Sequence, residues 1–88
     1  LNALTLASAQ EFAGCNVRVN GIVCGTFDTD ILAGVLSDPK LVDEVVKPIA
    51  LGRVGKPEEI VGAVLYFASE ASSYATGTLM RLDGGMPP

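Results

Sequence analysis

The chain has 88 residues and a formal net charge of −4, with 49% hydrophobic and only 18% charged residues. Its mean hydropathy is +0.42, so it is more apolar and less charged than a small free-standing domain, which carries about 25% charge. The six basic residues are scattered from Arg18 to Arg81 without a basic stripe, which argues against nucleic-acid binding. The longest apolar run is far shorter than the ~20 residues a membrane-spanning helix needs.

Residues 1–13 are rich in Ala and Leu and favour helix. Asn2, Thr5, Ser8 and Glu11 recur every three positions as a narrow polar stripe, with Gln10 beside it. The remaining circumference is apolar or small, which predicts a helix buried on most sides. Leu1 enters this pattern without a cap, so the chain is expected to begin inside an element. Gly14 is the expected helix stop. Residues 17–23 read as a strand with β-branched Val17, Val19 and Val23, and with Ile22 giving the other face apolar character. Residues 24–36 begin as a loop. Ser37-Asp38-Pro39 then reads as a helix start, with a capping side chain and proline in the first turn. Leu41, Val42, Val45 and Val46 share one face of that helix, Lys40, Asp43, Glu44 and Lys47 face water, and Pro48 ends it.

Residues 49–56 form a linker with two glycines. Pro57-Glu58-Glu59 starts another helix, in which Ile60, Val64, Phe67, Ala68 and Ala71 keep the helical period and Val61 and Leu65 widen the apolar face. Ser72 to Gly77 breaks the pattern. Thr78–Leu82 is a second strand, and Asp83-Gly84-Gly85 turns off its end. Two strands joined through a helix predict a parallel pair with a right-handed crossover, and a two-stranded pair needs further strands for stability.

In open parallel sheets ligands bind beyond the carboxyl ends of the strands. That places the candidate site at Cys24 to Thr29 and at Asp83-Gly84-Gly85. Gly25 permits close approach of a ligand to the backbone, and Thr26 and Thr29 offer hydroxyls. The same residues also make an ordinary Gly/Thr/Asp turn. With no histidine in the chain, Ser–His and Cys–His catalysis lack a base. Two cysteines cannot form a Cys₄ zinc site, and neither phosphate-loop glycine motif occurs. Asp28 and Asp30 are a weak metal pair, so no metal site is assigned. Cys24 reads as a small buried thiol, and the two thiols fit a cytoplasmic protein. Neither Tyr66 nor Tyr74 is followed four residues on by lysine.

Taken in order, the segments NALTLASAQEFA (2–13), VRVNGIVCGTFDT (17–29), LGRVGKPEEI (51–60), LYFASEASSYATG (65–77) and LDGG (82–85) resemble the C-terminal part of the short-chain dehydrogenase/reductase family. The resemblance implies an α/β fold, the C-terminal portion of a Rossmann-type doubly wound parallel sheet. Two strands and about three helices lie in this chain, and residues 1–88 form one fragment of one NAD(P)-binding domain with no internal boundary. It implies NAD or NADP as cofactor of the complete enzyme. The family's catalytic Ser, Tyr and Lys would lie upstream of Leu1, so no catalytic residue is expected here. The tyrosine is the family's general acid/base, and the lysine lowers its pKa and holds the ribose.

Cys24-Gly25 stands where the family has Pro-Gly, and the resemblance implies that Cys24, Gly25, Phe27 and Thr29 bind cofactor. The backbone at Phe27, where an aliphatic residue is common, would hold the nicotinamide carboxamide. The Thr29 hydroxyl would lie near carboxamide or phosphate. Residues from Asp30 to about Ile49 resemble the variable substrate-binding segment, with Leu32, Val35 and Leu36 as candidate contacts to a small-molecule substrate. The resemblance further implies a homodimer or homotetramer through residues 1–13, 57–71 and 78–83; charge and hydropathy lead to no nucleic-acid or membrane partner being expected. The expected activity of the parent protein is hydride transfer between nicotinamide and a carbonyl or alcohol, with this chain alone inactive. The alternatives are a truncated, non-enzymatic interaction module, or half of a split enzyme whose N-terminal part is another chain.

Overall fold

The computed structural model describes residues 2–87; Leu1, and with it the expectation of how the first helix begins, lies outside the described residues. The elements are α1 (Asn2–Phe12), β1 (Gly21–Cys24), α2 (Ala33–Leu36), α3 (Pro39–Val46), α4 (Val61–Ala68) and β2 (Leu79–Leu82), with single 3₁₀ turns at Ala13–Cys15, Asp30–Leu32, Pro57–Ile60 and Glu70–Ser72. β1 and β2 are neighbours in one sheet. Gly21 N–H donates to Thr78 O and Gly25 N–H to Leu82 O, both at 2.9 Å. The partner advances with the donor, which is the register of a parallel pair.

The chain divides into two compact units, Leu1–Val23 with Gly62–Arg81, and Cys24–Val61 with Leu82–Pro88. In the first, α1 packs through Thr5 and Ala9, its two buried residues. The surfaces that receive them are glycines: a Cβ on Gly21 would stand 3.3 Å from Thr5 Oγ1, and one on Gly77 would stand 3.2 Å from Leu6 Cδ1 and 3.5 Å from Ala9 Cβ. Close approach of this kind needs short side chains, so a member of the polar stripe is buried. Leu4, Leu6 and Phe12 are 68%, 49% and 44% exposed, so the helix is not covered on most sides by this chain. The helix stop is also displaced. Asn16, not Gly14, takes the left-handed conformation (φ 59°) and donates its N–H to Ala13 O, a role asparagine fills more readily than other non-glycine residues.

The first strand starts four residues later than the valine pattern predicts: over residues 17–20 a backbone bond from Gly77 N–H to Val19 O (2.7 Å) runs alongside side-chain bonds that stand in for the rest of the ladder. Val19 N–H donates to Thr76 Oγ1. Asn20 accepts from Thr78 N–H and donates to Ala75 O. Arg18 donates to Ser72 Oγ (2.8 Å), Ala75 O (3.1 Å), Phe67 O (3.0 Å) and Ser69 O (3.3 Å). The α4 segment closes earlier than its apolar period: Ser69 is extended, and Ala71 falls in the 3₁₀ turn beyond it. Its buried residue is Ala63, while Val64 and Leu65 are exposed. A small residue carries too little hydrophobic weight to mark that face in the sequence.

In the second unit, Asp38 caps α3 by accepting from Lys40 N–H (3.0 Å) with Pro39 at the first helical position, as the sequence predicts. The buried side chains are Ile49 and Phe27. Ile49 is enclosed by the turn after β2, where Gly84 (φ +65°) donates nothing in side-chain bulk: a Cβ there would stand 2.8 Å from Ile49 Cγ2. Leu51 N–H bonds Gly84 O at 3.0 Å.

Candidate functional site

The end of β1 and the residues after it belong to the second unit. Gly25 lies against the turn after β2, so that a Cβ on it would stand 2.6 Å from Asp83 Cβ and 2.7 Å from Asp83 Cα. Backbone cannot move aside as a side-chain tip does, so glycine is required here by packing as well as by access. Asp83 accepts from Gly85 N–H (3.0 Å) and Met86 N–H (3.4 Å), fixing that turn. The structure thus brings together Gly25 and the Asp83-Gly84-Gly85 turn.

Phe27 forms an isolated parallel bridge with Gly55. Gly55 N–H donates to Thr26 O (2.9 Å), and Asp28 N–H donates to Gly55 O (2.7 Å). Alternation along an extended chain directs the N–H and C=O of Phe27 itself away from Gly55. The result is a donor and an acceptor on one residue, with the opposite edge already occupied. Thr29 is exposed and extended at the start of the Asp30–Leu32 turn, and its hydroxyl caps nothing; its carbonyl accepts from Leu32 N–H. Cys24 is exposed at the strand end and is not a buried thiol within this chain.

Leu32, Val35 and Leu36 are half-buried and share one face by their spacing. Ile31, which the sequence pattern does not single out, is 92% exposed. It is the apolar side chain of this segment with the most free surface.

The sequence reading also misses the turn that carries Gly55. Arg53 grips Glu59 with both terminal guanidinium nitrogens, Nη1 to Oε1 at 2.7 Å and Nη2 to Oε2 at 3.1 Å. Glu59 also accepts from Lys56 N–H at 3.0 Å. These hydrogen bonds, led by that from Arg53, hold the Glu59 carboxyl down to about 2, and the Glu59 partner raises Arg53. A cavity of about 130 Å³ borders Phe27, Gly55, Arg53, Glu59, Leu51 and Asp83. The available signal was the pair of glycines flanking Arg53, which reads equally well as a flexible linker. Among the described residues no group of three or more His, Cys, Asp or Glu gathers at metal-binding spacing, and no helix is long and apolar enough to cross a membrane.

The chain belongs to the short-chain dehydrogenase/reductase family: the profile described as enoyl-(acyl carrier protein) reductase matches residues 1–87. A 3-oxoacyl-[acyl-carrier-protein] reductase of Chlamydia muridarum is 50% identical over 80 residues, covering 91% of this chain and 32% of that protein. Among solved structures, the RhlG/NADP active-site complex of Pseudomonas aeruginosa superposes with a TM-score of 0.89 at 31% identity, over 96% of this chain and 33% of the other. A 4-hydroxyisoleucine dehydrogenase complexed with NADH gives 0.90 at 31% identity, over 96% and 35%. The chain therefore spans about a third of the length of the relatives it matches. Its α/β fold is that of the C-terminal portion of a Rossmann-type sheet.

Proposed function

We propose that residues 1–88 are the C-terminal part of a single NAD(P)-binding domain, in an oxidoreductase that moves hydride between nicotinamide and a carbonyl or alcohol carbon. The observation that carries this reading is the backbone of Phe27. A primary carboxamide is one donor and one acceptor, and Phe27 presents their complements on the edge not taken by Gly55. Gly25 keeps the strand end open to close approach, and Thr29 adds a hydroxyl that the turn leaves uncapped. Cys24 lies beside them. When bound, the dinucleotide supplies or accepts the hydride. The residues of this chain hold and orient its nicotinamide end, and the proton-transfer groups come from the part that precedes it.

The Ile31 to Leu36 segment, with Leu32, Val35 and Leu36 half-buried, is the proposed substrate side. The exposed Leu4, Leu6 and Phe12 of α1, and Val64, Leu65 and Tyr66 of α4, support a homodimer or homotetramer contact. Both cysteines are free, which fits a cytoplasmic location. The isolated chain is expected to bind neither NADH nor NADPH.

A chimera tests the reading: this chain joined to the N-terminal remainder of the Chlamydia muridarum relative. The expected result is saturable quenching or transfer of reduced-nicotinamide fluorescence, and NAD(P)H oxidation with an acetoacetyl thioester or another carbonyl panel member. A folded chimera that binds neither nucleotide overturns it. The exposed apolar faces also suit a non-enzymatic module or one half of a split enzyme. Capture of a full-length partner subunit by a chain whose chimera fails to bind nucleotide would favour the module.

A further inference from the structure

The Arg53–Glu59 turn is more tightly closed than a linker needs to be. Arg53 and Glu59 form a two-pronged ion pair, Arg53 also donates to Val54 O (3.2 Å), and Glu59 reaches back to Lys56 N–H. Gly55 sits inside this closed turn. Its N–H and C=O are the two groups that bridge the chain on either side of Phe27. Its α-carbon faces the Phe27 ring so closely that a Cβ would stand 2.5, 2.7 and 3.1 Å from Cε1, Cδ1 and Cζ. Phe27 is thus located twice by one residue, through its flanking backbone and through its ring.

We propose, on the strength of the dinucleotide reading just given, that Gly55 is a positioning residue for the nicotinamide, and that the Arg53–Glu59 pair fixes Gly55 in turn. The distance from Gly55 to Phe27 sets where the outward N–H and C=O of Phe27 stand. A methyl group on Gly55 pushes the ring, and the strand with it, toward the carboxamide. The neighbouring cavity gives the ring somewhere to go, so displacement is expected rather than unfolding. Acting through Phe27, the turn is expected to affect the nicotinamide end and not the adenosine end, and that selectivity makes the role measurable.

The experiment uses the chimera and compares two ligands: the reduced dinucleotide that the wild type binds, and the matching ADP-ribose or its 2′-phosphate, which lacks nicotinamide. Gly55→Ala is expected to weaken the dinucleotide roughly tenfold and to leave the ADP-ribose ligand unchanged. Adding Phe27→Leu, which removes the ring edge, is expected to restore much of the loss. If Gly55→Ala does not fold, Arg53→Gln decides. It opens the turn without adding an atom beside Phe27 and should give a smaller loss with the same selectivity for the dinucleotide. Equal weakening of both ligands, or no change in either, overturns the proposal while leaving the dinucleotide reading intact. A wild-type chimera that binds neither ligand overturns both.

Discussion

The unit containing α1 and α4 and the unit containing Phe27 both use close contacts at glycine, Gly21 and Gly77 in the first, but differ in what else fixes their irregular backbone. In the first, one arginine and one asparagine supply six side-chain hydrogen bonds across segments far apart in sequence. In the second, close contacts at Gly25, Gly55 and Gly84 and a local ion pair fix the turns. A guanidinium can organise irregular backbone because it offers five donors in a fixed fork, but it concentrates the dependence in one residue. Glycine contacts spread the dependence and leave backbone groups uncovered for another partner. The residues proposed to meet the nucleotide lie in the second unit, where main-chain N–H and C=O groups are presented by the turn geometry itself.

That contrast predicts its largest effect at Arg18. Arg18→Ala in the chimera removes donors from three carbonyls and from the oxygen of Ser72, which is 1% exposed. A loss of about 3 kcal/mol is expected, since hydrogen bonds to charged groups contribute about 1.5–3 kcal/mol each and neighbouring ones do not add. Urea denaturation reads it as a lowered midpoint at constant slope. Arg18→Lys should recover only part, because an ammonium cannot span the same fork. A midpoint shift no larger than that of a surface substitution would end the distinction between the units.

The second effect belongs to the other side of the comparison. Gly25→Ala forces a Cβ to within 2.6–2.7 Å of Asp83 and should cost about 1–3 kcal/mol as overpacking, with loss of nucleotide affinity. Gly62→Ala is the matched control in α4, where a Cβ meets nothing within 4 Å. It should stabilise by about 0.4–1 kcal/mol, because alanine restricts the unfolded chain more than glycine does. Equal midpoints for the two variants would show that glycine contacts do not organise this unit.

The two units also differ in how much of them can be read from sequence. The Asp38-Pro39 helix start is local chemistry, a cap and a fixed φ within two residues, and the structure has it as read. The parallel β1–β2 pair follows from pattern and connection. What is not legible depends on partners distant in the chain. Val17 and Val19 look like strand, but Arg18 and Asn20 divert their segment into side-chain bonding with residues 67–78. The polar stripe of α1 looks like a wet face, but Thr5 is buried where a glycine strand comes close. At the candidate site, Gly25 and Thr29 could be proposed from residue type and family resemblance. Gly55 could not, because its role lies in a contact with Phe27 that no local pattern records.

Thr29 offers a finer test, with stability and binding expected to separate. Its hydroxyl makes no cap bond, so Thr29→Val should leave the urea midpoint within about 0.5 kcal/mol of wild type. Under the proposed function the same change removes a hydrogen bond to the nucleotide, worth about 1 kcal/mol, and isothermal titration should show a several-fold weaker Kd. A midpoint shift accompanied by unchanged binding would turn Thr29 into a structural residue and move the nucleotide contact elsewhere.

The smallest effect is electrostatic and lies at the Arg53–Glu59 pair. Glu59 is held near 2 in the folded chain against an ordinary value of 4.5. The unfolded chain therefore binds more protons at Glu59 between these values, and stability from this group rises with pH across that window. Its contribution is complete above about 4.5 and is lost as pH falls toward about 2. Both side chains are substantially exposed, 51% and 41%, so solvent and salt weaken the pair and the slope should be shallow. Comparing urea midpoints of the chimera and its Glu59→Gln variant against pH isolates this contribution: the difference between the two should shrink on acidification and in high salt. A difference that stays constant from neutral pH to the acid limit would mean that the turn is held by its backbone bonds and glycine geometry alone.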